Sequence, residues 1–136
     1  MKHLTLHILP DHLAVCRLPA DAPIPERPPS AAFWAVTYTG EELSVVLPQE
    51  AASPRWRVEP GWRCLKVLGP LDFGLTGVLA AIAVPLAEAG VPIFALSTYD
   101  TDYVLVKGED LDRAKEALRA CGHVVEPSSG LARPGS

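Results

Sequence analysis

Between Cys64 and Val125 the chain alternates between two hydrophobic periods, and that alternation restricts its fold more than any other feature. Cys64 to Leu68 reads as a strand, which Gly69-Pro70 ends. From there Leu75, Val78, Leu79, Ile82 and Leu86 recur at helix spacing until Gly90, a good stop. Pro85 lies inside this helix; it removes a backbone donor and is expected to kink the last turn. Ile93 to Ser97 and Tyr103 to Val106 return to strand character. Gly108-Glu109-Asp110 then opens a second helix, with Leu111, Ala114, Leu118 and Cys121 facing inward. Gly122 ends it, and His123 to Val125 is a last short strand.

The order β-α-β-β-α-β over residues 62–126 is the ferredoxin-like arrangement, an α+β fold. It predicts four antiparallel strands carrying two helices on one face. Roughly 65 residues is marginal for a lone domain, so the N-terminal half is expected to pack on it or extend its sheet. In that half, residues 3–18 read as a hairpin of two strands broken at Pro10-Asp11-His12. Five prolines fall between Pro19 and Pro29, and no regular helix or central strand survives there. Phe33 to Thr39 and Leu43 to Leu47 are further strands, and Pro48 to Ala52 a helical turn. Arg55 to Gly61, edged by Pro54 and Pro60, reads as the linker. The expected division is a first unit over 1–60, a second over 61–127 and a frayed tail over 128–136.

Several function classes are disfavoured by composition. The formal net charge is −4 and no Lys/Arg cluster stands out, which argues against nucleic acid as a partner. The longest apolar run, Gly77 to Pro85, is far short of the ~20 residues a membrane span needs. Met1 to His7 has no signal-peptide pattern. Cys16, Cys64 and Cys121 are odd in number and widely spaced, so they read as buried thiols in a reducing cytoplasm. His3, His7, His12 and His123 lack metal-ligand spacing, and no metal or other cofactor is expected. Trp34, Trp56 and Trp62 read as core or interface. No nucleophile-elbow serine and no nucleotide-binding glycine loop is present, so no enzyme is indicated.

The run Gly69-Pro70-Leu71-Asp72-Phe73-Gly74-Leu75-Thr76-Gly77, followed by a helix, then by Ala89-Gly90-Val91-Pro92-Ile93 and by Leu96 to Val106, resembles the ACT domain. More narrowly, it resembles the tandem ACT proteins related to CASTOR-type amino-acid sensors and to aspartate kinase regulatory domains. Thr39 to Val46 is similar to the first ACT unit of that group. The resemblance covers most of residues 3–126. It implies two βαββαβ units, regulatory binding of a small molecule, pairing of units through their sheets in a homodimer, and no catalysis. The proline-rich stretch stands where the first unit should have its first helix, which marks that unit as degenerate.

The loop before the first helix is the leading candidate site. A helix start leaves N–H groups unpaired and carries partial positive charge, so it suits a carboxylate. Leu71, Asp72, Phe73, Gly74, Leu75, Thr76 and Gly77 form this set, with the amides of Gly74 to Thr76 as the expected carboxylate donors. Gly77, read as lying inside the helix, costs ~1 kcal/mol against alanine there, which points to a close approach. The competing reading is a plain turn with Asp72 capping the helix. Ser97, Thr98, Tyr99 and Asp102 lie in the segment joining two strands, where Asp100 or Asp102 suits an ammonium or guanidinium and Ser97 or Thr98 offers a hydroxyl; a polar hairpin turn is the competing reading. Glu42, Leu43 and Ser44 are expected as a secondary wall.

The resulting expectation is a cytoplasmic, non-catalytic sensor of a small molecule, an amino acid or a related metabolite. With no output domain it would act on a regulated partner protein. Two rivals remain: an interaction module that dimerises through its sheets without a working ligand site, and an enzyme on a ferredoxin-like scaffold.

Overall fold

The computed structural model describes residues 3–69 and 75–128. Its elements in chain order are β1 (Thr5–Ile8), β2 (Leu13–Leu18), β3 (Ala35–Tyr38), β4 (Leu43–Pro48), β5 (Arg57–Val67), α1 (Val78–Glu88), β6 (Phe94–Ser97), β7 (Asp102–Lys107), α2 (Leu111–Ala120) and β8 (Val124–Pro127). Single 3-10 turns occupy Gln49–Ala51 and Gly108–Asp110. The chain divides into two compact units. One comprises Met1–Pro10 with Arg63–Ser136, the other Asp11–Trp62. The first ten residues therefore group with the C-terminal half, where the sequence reading placed them in a unit of residues 1–60. The expected tail lies outside the described residues from position 129 onward.

In the larger unit the strands run in the order β8-β1-β5-β7-β6. β1 is antiparallel to β5, with Leu6 opposite Val67, and parallel to β8, with Leu6 opposite Val125. β6 and β7 form an antiparallel hairpin. The sheet is thus mixed and has a fifth strand, which corrects the expectation of four antiparallel strands. One face carries both helices. Leu6, Leu65, Val67, Val104, Val106 and Val125 meet Val78, Ile82, Leu86, Ala114 and Leu118 in a single buried cluster. Leu65/Val67 and Val104/Val106 are two apart along their strands, so they share that face.

The expected hairpin over residues 3–18 does not form. β1 pairs with β5 and β8, whereas β2 pairs with β4 and β5. The chemistry of the intervening residues explains this. Pro10 has no N–H for a hairpin turn. Asp11, 3% exposed, uses its carboxylate elsewhere: Oδ2 accepts the amides of Ala32 at 2.7 Å and Phe33 at 3.2 Å.

Helix α1 begins at Val78, after Leu75 and Thr76, which are non-helical. Its buried residues are Val78, Ala81, Ile82, Pro85 and Leu86. Leu79 and Leu75, expected on the inner face, are 39% and 38% exposed. The later start explains Leu75, which precedes the helix; the inner stripe of the shortened helix runs through Val78, Ile82 and Leu86 and leaves Leu79 beside it. The helix continues through Pro85 to Glu88.

Both helices end in the same way. Gly90 and Gly122 have φ of 72° and 90°, a region open to glycine. The amides of Gly90 and Val91 bond back to Ala87 and Leu86, and those of Gly122 and His123 to Arg119 and Leu118. This is the Schellman arrangement, which satisfies carbonyls the helix would otherwise leave open.

The smaller unit is an antiparallel sheet in the order β3-β4-β2-β5, to which β5 contributes its first half. It has no α-helix among the described residues. Its core holds Ala14, Cys16, Leu18, Leu43, Val45 and Leu47, with Trp34, Trp56 and Val58 packed against it. Burial pushes the Cys16 thiol up, as expected of an inert core cysteine. Residues 55–61, read as a linker, instead supply the start of β5: Val58 pairs with Cys16 and Glu59 with Val15. The register shifts between Leu13 and Val15, opposite Pro60 and Gly61. A bulge accommodates a Pro-Gly pair within a strand, so the sequence signal for a linker marked an irregularity in the pairing.

Candidate functional site

Of the loop residues, Pro70, Leu71, Asp72, Phe73 and Gly74 lie outside the described residues. Leu75, Thr76 and Gly77 are all exposed. Gly77 is the N-cap of α1, with φ 79° and no side-chain cap bond. The reading of Gly77 as a helix-interior residue is therefore corrected. Among the described residues, and apart from its chain neighbours, nothing lies within 4 Å of where its Cβ would be; its positive φ is what favours glycine there. The first ladder bond of α1 runs from the Ala81 amide to the Gly77 carbonyl at 3.0 Å. The amides of Val78, Leu79 and Ala80 precede that ladder. Among the described residues, the donors that precede the helix ladder thus sit at 78–80; Leu75 and Thr76 of the expected set lie before the helix, and Gly74 lies outside the described residues.

The β6–β7 hairpin brings the second set together. Ser97 lies opposite Asp102 in the register, and its Oγ donates to Asp102 Oδ1 at 2.6 Å. Between them, the Thr98 amide bonds to the Thr101 carbonyl at 2.9 Å, and the Thr98 hydroxyl donates to the same carbonyl at 3.2 Å. Tyr99 stands at the turn, 81% exposed. Burial raises the Tyr103 phenol above its ordinary range, and the charges of Cys64 and Asp100 add to the effect.

One residue outside the expected set fixes this hairpin. Thr101 is 3% exposed, and its Oγ1 donates to the Val67 carbonyl at 2.7 Å. Val67 is the last residue of β5, directly before Leu68-Gly69 and the candidate loop. The hairpin turn is therefore held at the end of β5 from which that loop departs. Only a threonine in a polar turn marks this in the sequence, and such threonines are common. Thr101→Val keeps the shape but leaves the buried Val67 carbonyl without its donor; we expect a loss of about 1–3 kcal/mol in urea unfolding.

Glu42, Leu43 and Ser44 belong to the smaller unit. Leu43 is 1% exposed and part of that unit's own core, so its side chain is unavailable as an open wall. The Glu42 carbonyl accepts the Thr39 amide at 2.9 Å, and both Glu42 and Ser44 are half-buried. Among the described residues no group of three or more His, Cys, Asp or Glu side chains could hold a metal ion. No helix among them is long and apolar enough to cross a membrane.

Comparison with known proteins identifies this architecture. Residues 57–120 match the sequence family of the ACT domain. The crystal structure of protein Atu0741 from Agobacterium tumefaciens is 34% identical, with 92% of this chain and 93% of that one covered and a TM-score of 0.85. Over residues 57–120 the chain belongs to the ACT domain family. The bovine cytosolic arginine sensor for mTORC1 subunit 1 is 32% identical over 90 residues, which span 58% of this chain and 27% of that protein. Across the curated relatives it matches, the chain spans between 18% and 56% of their length. The regulatory subunit of aspartate kinase from Thermus thermophilus shares the fold at 13% identity, with a TM-score of 0.62 over 88% of this chain and 99% of that one.

Proposed function

We propose that this chain is a non-catalytic regulatory protein that binds an amino acid at the end of the larger unit where β5, the β6–β7 hairpin and the start of α1 converge in sequence and pairing. The observation that carries the reading is the Thr101–Val67 bond. It holds the Ser97–Asp102 pair beside the departure point of the 69–77 loop, inside the segment that matches the ACT family. The ligand carboxylate meets the open amides of Val78 to Ala80. Its ammonium, or a cationic side chain, meets Asp102, with Thr98 and Tyr99 beside it and the loop residues Leu71 to Gly77 as the further candidates from the sequence. Arginine is the first candidate, because an arginine sensor is among the relatives and a carboxylate suits a guanidinium.

Residues 11–62 are the remnant of a first ACT unit in this reading, with the proline-rich stretch in place of its first helix. The protein works in the cytoplasm as a homodimer and signals through a regulated partner. The rival, a dimerisation module without a ligand, draws on β6, which pairs only with β7 among the described residues and so presents a strand edge.

Thermal unfolding with each amino acid at millimolar concentration separates the two. A ligand at a hundred times its Kd stabilises by about 2.7 kcal/mol. For a domain of this size that is a rise of roughly 10 °C in Tm. A flat response across all amino acids, arginine included, leaves the dimerisation module as the better reading.

A further inference from the structure

The proline inside α1 leaves a gap that a distant side chain fills. In a regular helix the amide of residue 85 would bond to the carbonyl of Ala81, four residues earlier, but proline has no N–H. His123 meets that carbonyl instead, with Nε2 at 2.9 Å. Its other ring nitrogen, Nδ1, accepts the Leu4 amide at 3.0 Å. A backbone amide only donates, so Nδ1 is bare and the ring proton sits on Nε2, pointing at Ala81. The ring is 3% exposed. It is held at the Schellman turn of α2, where the His123 amide bonds to the Leu118 carbonyl at 3.1 Å. One imidazole thus ties together the middle of α1, the residue before β1 and the residue before β8.

We propose that His123 is a proton-sensitive latch between α1 and β1. A second ring proton lands on Nδ1, the atom that takes the Leu4 amide. Two donors then face each other and that tie opens, while the Nε2–H bond to Ala81 survives. Among the described residues little balances an imidazolium. From the lead-in to β1, the His3 ring stands edge-on, with centroids 6.4 Å apart at 84°. From α2, Arg119 donates to the Val125 carbonyl, and Glu116 faces solvent. Helix α1 has no charged side chain before Glu88, which is exposed. On β8 the Glu126 carboxylate pairs with His7 at 3.1 Å.

Amide exchange followed by NMR between about pH 8 and pH 5, corrected for intrinsic rates, tests this on the unmodified protein. The Leu4 amide should lose protection about tenfold as the pH falls. The Val124 amide, bonded to the Leu4 carbonyl at 2.9 Å, should hold. In His123→Leu the Leu4 amide should be unprotected across the whole range. If that variant does not fold, adding Pro85→Ala returns a backbone donor to Ala81 and supplies a folded background. Unchanged Leu4 protection across the range, an unaltered pH response in the leucine variant, or imidazole nitrogen shifts showing the proton on Nδ1 at pH 8 would each overturn the proposal.

Discussion

Ile82→Ala should lower the stability of the larger unit by about 2–5 kcal/mol, the range for a large aliphatic side chain truncated in a packed core. Ile82 is 0% exposed and sits where α1 meets the sheet, in contact with the cluster of Leu6, Leu65, Val104 and Leu118. Leu79, three residues earlier and 39% exposed, provides the control. Leu79→Ala should cost less than about 1 kcal/mol, because most of the side chain's transfer energy is never gained on folding. Urea unfolding followed by circular dichroism reads both. Equal losses would mean that α1 is rotated from the orientation described.

Asp11→Ala should cost the smaller unit about 3 kcal/mol. One buried carboxylate oxygen takes two amides, Ala32 and Phe33, and so pins the segment between the proline-rich stretch and β3 to the residues just before β2. Bonds to a charged acceptor contribute about 1.5–3 kcal/mol, and amides left buried without one add a desolvation penalty. Asp11→Asn keeps an oxygen that can occupy the same place and should lose about 1 kcal/mol or less. Trp34 and Trp56 pack against this unit's core, so their fluorescence reports the transition. If alanine and asparagine were equally mild, the carboxylate would not be what holds the segment.

The helical part of the fold was legible because its signals are local. Gly90 and Gly122 mark Schellman ends, and the Leu118/Ala114 stripe of α2 follows helix spacing. Strand partnership is not local. β1 joins β8 across more than a hundred residues, and nothing in residues 3–18 distinguishes that pairing from a hairpin with β2. The start of β5 was hidden for a different reason: Pro60-Gly61 is an equally good signal for a linker and for a bulge. For the site, the Ser97–Asp102 pairing follows from a two-stranded hairpin with a short polar turn. The Thr101–Val67 bond depends on β7 lying beside β5, which hydrophobic periods do not specify. The late start of α1 at Val78 turns on one backbone angle at Gly77.

In the proposed binding mode the ligand carboxylate meets the first-turn amides of Val78 to Ala80, which follow the N-cap Gly77. Titrating ¹⁵N-labelled protein with arginine and then with the remaining amino acids tests this most directly. Binding as proposed shifts the amides of Val78, Leu79 and Ala80 together with those of Thr98 to Asp102, in one saturable transition that Asp102→Ala weakens. Saturable shifts confined to other parts of the chain, or no shift with any amino acid, would contradict the assignment of this end of the larger unit as the ligand site.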